Sequence, residues 1–148
     1  HRCWFCLWEV AGTLVTYHGQ NPQPSAEVGL VFPWNWSNRW GVKFILAAAP
    51  YYVRPTGKSK TNTIGLSLNP LLQYDLTEVF LVAGAGVHYI YAFNDYSFSR
   101  TFGMGKFLTS SNFQLADFLK LDNIYFHYTE VDWLQTIKEF KLGVTLAF

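Results

Sequence analysis

The chain has 148 residues and a formal charge of +1; half of it is hydrophobic, 19% is aromatic and only 14% is Asp, Glu, Lys or Arg, against about 25% charged in an ordinary soluble domain. That length bounds a single domain over 1–148, and the dispersed Lys and Arg leave no electrostatic footprint for nucleic acid. No apolar run reaches the roughly 20 residues of a membrane-spanning helix; the longest, Phe44 to Val53, is interrupted by Pro50. No signal peptide is recognisable, and the chain starts at His1, not Met, as expected where a leader has been removed or trimmed.

The periodicity of the sequence predicts eight strands, at 3–17, 26–36, 40–54, 62–75, 78–93, 97–108, 122–131 and 137–148. In the first, Cys3 and Cys6 form a lone C-x-x-C. Residues three apart in a strand point to opposite faces, which makes a disulfide poor geometry, and no second pair completes a zinc site. Both are read as ordinary strand residues. In the second, Val28, Leu30, Phe32, Trp34 and Trp36 alternate with Glu27, Gly29, Pro33 and Asn35, the period of a strand and not a helix. The fourth repeats this with Ile64, Leu66, Leu68, Leu72 and Tyr74 on one face, and Leu71 as the one apolar residue on the other. These runs exceed the usual 5–6 residues and match the about 9–11 of a tilted membrane strand.

Connections alternate in length. Ser37–Arg39 and Leu76–Thr77 are tight hairpins, whereas His18–Ser25 and the Pro55–Lys58 stretch are longer and rich in turn formers. An up-and-down barrel then has its short turns and both termini at one end. Aromatics near strand ends (Trp34, Trp36, Trp40, Tyr51, Tyr52, Tyr89, Tyr91, Phe93, Trp133) read as interfacial girdles. In the fifth strand Gly84, Gly86 and His88 share a face; the glycines relieve crowding in a narrow barrel and His88 is expected to make a hydrogen bond in the lumen. Ser111 with Gln114 forms a capping box, and Phe113, Leu115, Ala116, Phe118 and Leu119 give an apolar stripe at helical spacing. A short helix, Ser111 to Leu121, is therefore expected between strands six and seven, available to a protein partner.

The last strand alternates Phe140, Leu142, Val144, Leu146 and Phe148 with Lys141, Gly143, Thr145 and Ala147. Ending a chain on such a strand with a terminal Phe resembles bacterial outer-membrane β-barrels. The fold class expected is thus all-β: an eight-stranded antiparallel up-and-down transmembrane barrel with one short helix.

Three residues suggest chemistry. His127 and Thr129 share a face of the seventh strand and Glu139 lies on the eighth, so imidazole, hydroxyl and carboxylate could act as base, nucleophile and orienter in acyl transfer. The arrangement is similar to the lipid A 3-O-deacylase family, with its late His-x-Ser pair and a Glu on the last strand, and the Gly-Ala-Gly strand resembles the fifth strand of those barrels. The resemblance covers the last third of the chain and implies an outer-membrane esterase. Thr129 in place of Ser departs from it, as does the acidic run Glu130, Val131, Asp132, which opposes an oxyanion. Alternation turns His127 and Thr129 to the lumen with Asn123 and Tyr125.

Elsewhere, Arg54, Lys58 and Lys60 crowd one loop and suit the phosphates of lipopolysaccharide. Glu130 and Asp132 lack a third ligand, so no metal and no cofactor is expected. The expectation from sequence is a bacterial outer-membrane barrel without a wide pore, structural, adhesive or a complex subunit, and contacting lipid and lipopolysaccharide. The alternatives are a lipid A deacylase-like esterase and a soluble lipocalin-like carrier with its greasy faces turned inward.

Overall fold

A computed structural model describes residues 7–16, 21–53, 61–91, 95–108, 114–116, 119–132 and 136–147. Its strands are β1 (Leu7–Thr16), β2 (Gln23–Asn35), β3 (Trp40–Val53), β4 (Thr61–Asp75), β5 (Val79–Ile90), β6 (Asp95–Phe107), β7 (Gln114–Ala116), β8 (Leu119–Asp132) and β9 (Thr136–Ala147). Neighbours pair antiparallel in chain order. β1 pairs with β9 and β6 with β8, so eight strands close into a barrel and the three-residue β7 is appended to the start of β8.

Followed pair by pair, the register leaves β6 at Lys106 and passes through Ile124, Val144, Val10, Val28, Ala48, Leu66 and Tyr89. It re-enters β6 at Tyr96, ten residues further along. Such a stagger requires strands tilted by about 35–45° to the barrel axis, and it explains why strands of 10 to 15 residues suit a band about 25 Å tall.

The expected helix is not there: the described residues contain no helix, and those of its segment, Gln114–Ala116 and Leu119 to Leu121, are strand. Gln114 pairs with Lys120 and Ala116 with Leu119, so the seventh barrel strand begins at Leu119, three residues earlier than expected. The apolar stripe that looked helical is equally consistent with extended chain. Backbone pairing with the already formed edge of β8 satisfies its polar groups in a way that a short isolated helix cannot. The helical docking surface expected for a protein partner disappears with it.

The tight turns lie where expected. Trp36 and Ser37 amides both donate to the Trp40 carbonyl, the Arg39 and Trp40 amides donate to Ser37 Oγ, and Leu76 N–H closes on the Val79 carbonyl. Thr77, in that second turn, has φ 151°, a region that suits glycine better than a β-branched residue.

Side chains alternate strictly between the two faces. Outside, Val10, Leu14, Val28, Leu46, Leu66, Leu68, Phe102, Phe126, Phe140 and Leu142 form an apolar wall. At the short-turn end this wall finishes in Trp34, Trp36 and Trp40, all exposed, with Trp40 packed on Tyr74 at 4.7 Å. At the other end Tyr89 lies against Tyr91 and Tyr96. These are aromatic girdles. Tyr51 is a correction to that expectation, because it points inward and is buried; Phe93 and Trp133 lie outside the described residues, as do Cys3, Cys6, His18 and Phe148.

Candidate functional site in the barrel interior

The inward residues decide what the barrel is. Glu9, Glu27, Lys43, His88, His127, Glu139 and Lys141 are all buried there, on the polar parity of their strands. A lipocalin-like carrier needs the reverse arrangement, apolar inside and polar outside, so that expectation fails. An apolar exterior around a charged, packed interior suits lipid outside, where every backbone group is satisfied by a closed sheet.

The interior is tiered. At the strand ends beside the longer links, Val15, Ala49, Tyr51, Ile90, Val131 and Ile137 form an apolar cap. Toward the short turns a second cluster gathers Ala11, Val31, Ile45, Ala47, Leu71, Phe80, Val82 and Tyr125. Leu71, the apolar exception in its strand's polar face, is thereby explained. Close packing against glycine makes this possible: a Cβ on Gly105 would sit 2.1 Å from the Phe80 ring, and one on Gly86 2.2 Å from Asn69 Oδ1.

Polar groups thread these clusters. Lys141 Nζ lies 2.9 Å from Glu27 Oε1, 3.1 Å from Oε2 and 3.8 Å from Glu139. The Tyr51 hydroxyl donates to Glu139, and that of Tyr125 to Glu9. His88 Nδ1 meets Ser99 Oγ at 3.0 Å, and Ser99 donates onward to Asn69 at 3.3 Å, the lumen hydrogen bond expected of His88. Such charges survive burial because each carboxylate finds a cation or a hydroxyl.

The structure brings His127, Thr129 and Glu139 into this interior and gives each a different partner. Thr129 and Glu139 face each other across the β8–β9 pair, yet the Thr129 hydroxyl bonds the Thr101 hydroxyl at 2.9 Å and Glu139 is held by Tyr51 and Lys141. The His127 ring packs on Tyr125 at 4.3 Å, with Nε2 buried and unpartnered. Among the described residues no hydrogen bond joins His127 to Thr129. Glu130 and Asp132 face outward and meet Arg100 at 3.0 and 3.6 Å, and the Tyr128 hydroxyl donates to Glu130 at 2.6 Å. Arg54, Lys58 and Lys60, in the sequence between β3 and β4, lie outside the described residues.

Comparison with solved structures places the architecture. The Yersinia pestis outer membrane protein Ail in a phospholipid bilayer nanodisc superimposes with a TM-score of 0.57 over 97% of this chain and 99% of its own, at 13% identity. The fold is that of the small outer-membrane β-barrels. The outer membrane enzyme PagL matches with a TM-score of 0.60, covering 93% of this barrel and 97% of that chain at 14% identity. Neisserial surface protein A matches with 0.51, over 96% and 95% at 10%. No family model matches the barrel's sequence, and no curated protein does.

Sequence reading alone missed the central trio of the interior, Glu9, Glu27 and Lys141, along with Lys43. The signal was present: each charge falls on the inward parity of a long strand. Pairing them needed the register, because Glu27 and Lys141 are 114 positions apart.

Proposed function

We propose that this chain is a non-enzymatic barrel of the bacterial outer membrane that acts through its loop end, as a structural or adhesive protein, with a filled lumen in place of a wide pore. One observation carries this reading: the interior is occupied by the Glu27–Lys141–Glu139–Tyr51 network beneath an apolar cap. Thr129 and Glu139 are engaged in that packing and His127 is buried within it, facing away from any lipid substrate. An adhesive role leaves function to the loops, and the longer links, 17–22 and 54–60, share the end opposite the termini. In sequence the link after β3 carries Arg54, Lys58 and Lys60, positive charge suited to lipopolysaccharide phosphates. Ail, which shares the fold, is the attachment invasion locus protein, and one of its structures holds the heparin analogue sucrose octasulfate.

The test is a triple charge reversal, Arg54→Glu, Lys58→Glu and Lys60→Glu, with lipopolysaccharide binding measured on the folded barrel. Binding should fall at least about tenfold, as expected when several phosphate contacts are lost; unchanged binding overturns the contact. In parallel, Thr129→Ala should leave lipid A acylation in cells unchanged relative to cells carrying the parent barrel. Dependence of deacylation on Thr129 would instead establish the esterase.

A further inference from the structure

Among the described residues the loop end of the lumen is filled by its apolar cluster, and a cavity lies at the other end. This cavity, of about 250 Å³, enters the barrel mouth between the ends of β1, β2, β3, β4, β6, β8 and β9. It is smaller than the roughly 300–1,000 Å³ of drug-sized pockets.

Lys43 lines it and is an anomaly. Its side chain belongs to a residue 6% exposed, with the ammonium 4.7 Å from the centre of the Phe80 ring and 5.7 Å from that of Tyr125. Among the described residues no carboxylate lies within ion-pair distance of it; Glu27 and Glu139 are committed to Lys141, while Glu9, bonded to Tyr125 through one oxygen and unpartnered at the other, acts on Lys43 only at longer range, as do Asp122 and Asp75. Two ring faces stabilise a cation but do not replace a counter-charge lost from water.

On the mouth side of Lys43 stand two carboxylates, Asp75 and Asp122. Each is oriented through one oxygen by a neighbouring amide, Gln73 Nε2 to Asp75 at 2.8 Å and Asn123 Nδ2 to Asp122 at 2.9 Å. Along β4 the inward row runs Leu71, beside Lys43, then Gln73, then Asp75, so positive charge lies deep and negative charge at the rim. A simple polyanion meets repulsion at that rim, and a simple cation finds only Lys43 at the floor. The arrangement complements a molecule with an anionic and a cationic end. Leu7, Val31 and Phe107 supply apolar walls between them.

We propose that this cavity binds a free zwitterion of dipeptide size, its carboxylate on Lys43 and its ammonium between Asp75 and Asp122.

The experiment is calorimetric titration of the full chain, folded in the non-ionic detergent dodecyl maltoside, with L-alanyl-L-alanine. Saturable one-site binding is expected. N-acetylation of the peptide, which removes the ammonium, and amidation of its carboxylate should each weaken it at least about tenfold, as should Lys43→Met. Absence of saturable binding, equal binding of the acetylated peptide, or unchanged affinity in Lys43→Met overturns the proposal. Heat-modifiable gel migration reports whether Lys43→Met still forms the barrel. If it does not, the rim double variant Asp75→Asn with Asp122→Asn decides, since unchanged affinity there is equally fatal.

Discussion

The inner and outer faces of the same strands follow opposite rules. Along β9, Phe140 and Leu142 stand exposed while their immediate neighbours Glu139 and Lys141 are buried. Outside, the surface is tolerant in shape and strict in polarity, because lipid accepts any apolar side chain and few charged ones. Inside, polarity is permitted and geometry is strict, because every charge must find its partner in a space with no room for rearrangement. One break in the outer rule is Arg100, set between Phe98 and Phe102 on β6; it is balanced on the spot by Glu130 and Asp132.

Three substitutions probe that contrast, from the largest effect to the smallest. Lys141→Ala removes the cation shared by Glu27 and Glu139 and leaves two buried carboxylates without it; it should destabilise the barrel by about 3–5 kcal/mol. Urea unfolding in vesicles, read by tryptophan fluorescence, measures this, and a loss under 1 kcal/mol (about that of an exposed pair) would show that the interior network is not a unit. Leu68→Arg, midway along β4 on the lipid face, should cost about 2–4 kcal/mol in a bilayer. If the same change proves neutral, the outer wall is not immersed in hydrocarbon. Thr77→Gly, in the turn between β4 and β5 and outside both environments, should stabilise by about 0.5–1 kcal/mol by relieving the positive φ; thermal gel-shift midpoints check its sign.

The strands were legible because two-residue alternation survives in each of them, and the predicted limits lie within four residues of those observed, as at 26–36 against Gln23–Asn35. The Ser111–Leu121 segment was not legible, since its spacing of apolar residues satisfies helix and strand alike and only the edge of β8 selects between them. Tyr51 misled for a related reason. It sits near a strand end with Tyr52, but its parity turns it inward to Glu139, so parity outranks position along the strand. His127, Thr129 and Glu139 were correctly gathered by sequence onto adjoining strands. That the Thr129 hydroxyl meets Thr101, not His127, depends on the contact between β6 and β8, which no local pattern encodes.

By itself the sequence determined the number of long barrel strands, which face of each is greasy, and the rhythm of short and long links, because these are properties of consecutive residues. The tertiary structure alone decided which face is outside, how Lys141 finds Glu27, and that Lys43 is left facing a cavity at the short-turn end. Alternation is symmetric between inside and outside. Only closure of the sheet, with its ten-residue stagger, gives the two faces different surroundings and brings charges far apart in the chain within bonding distance.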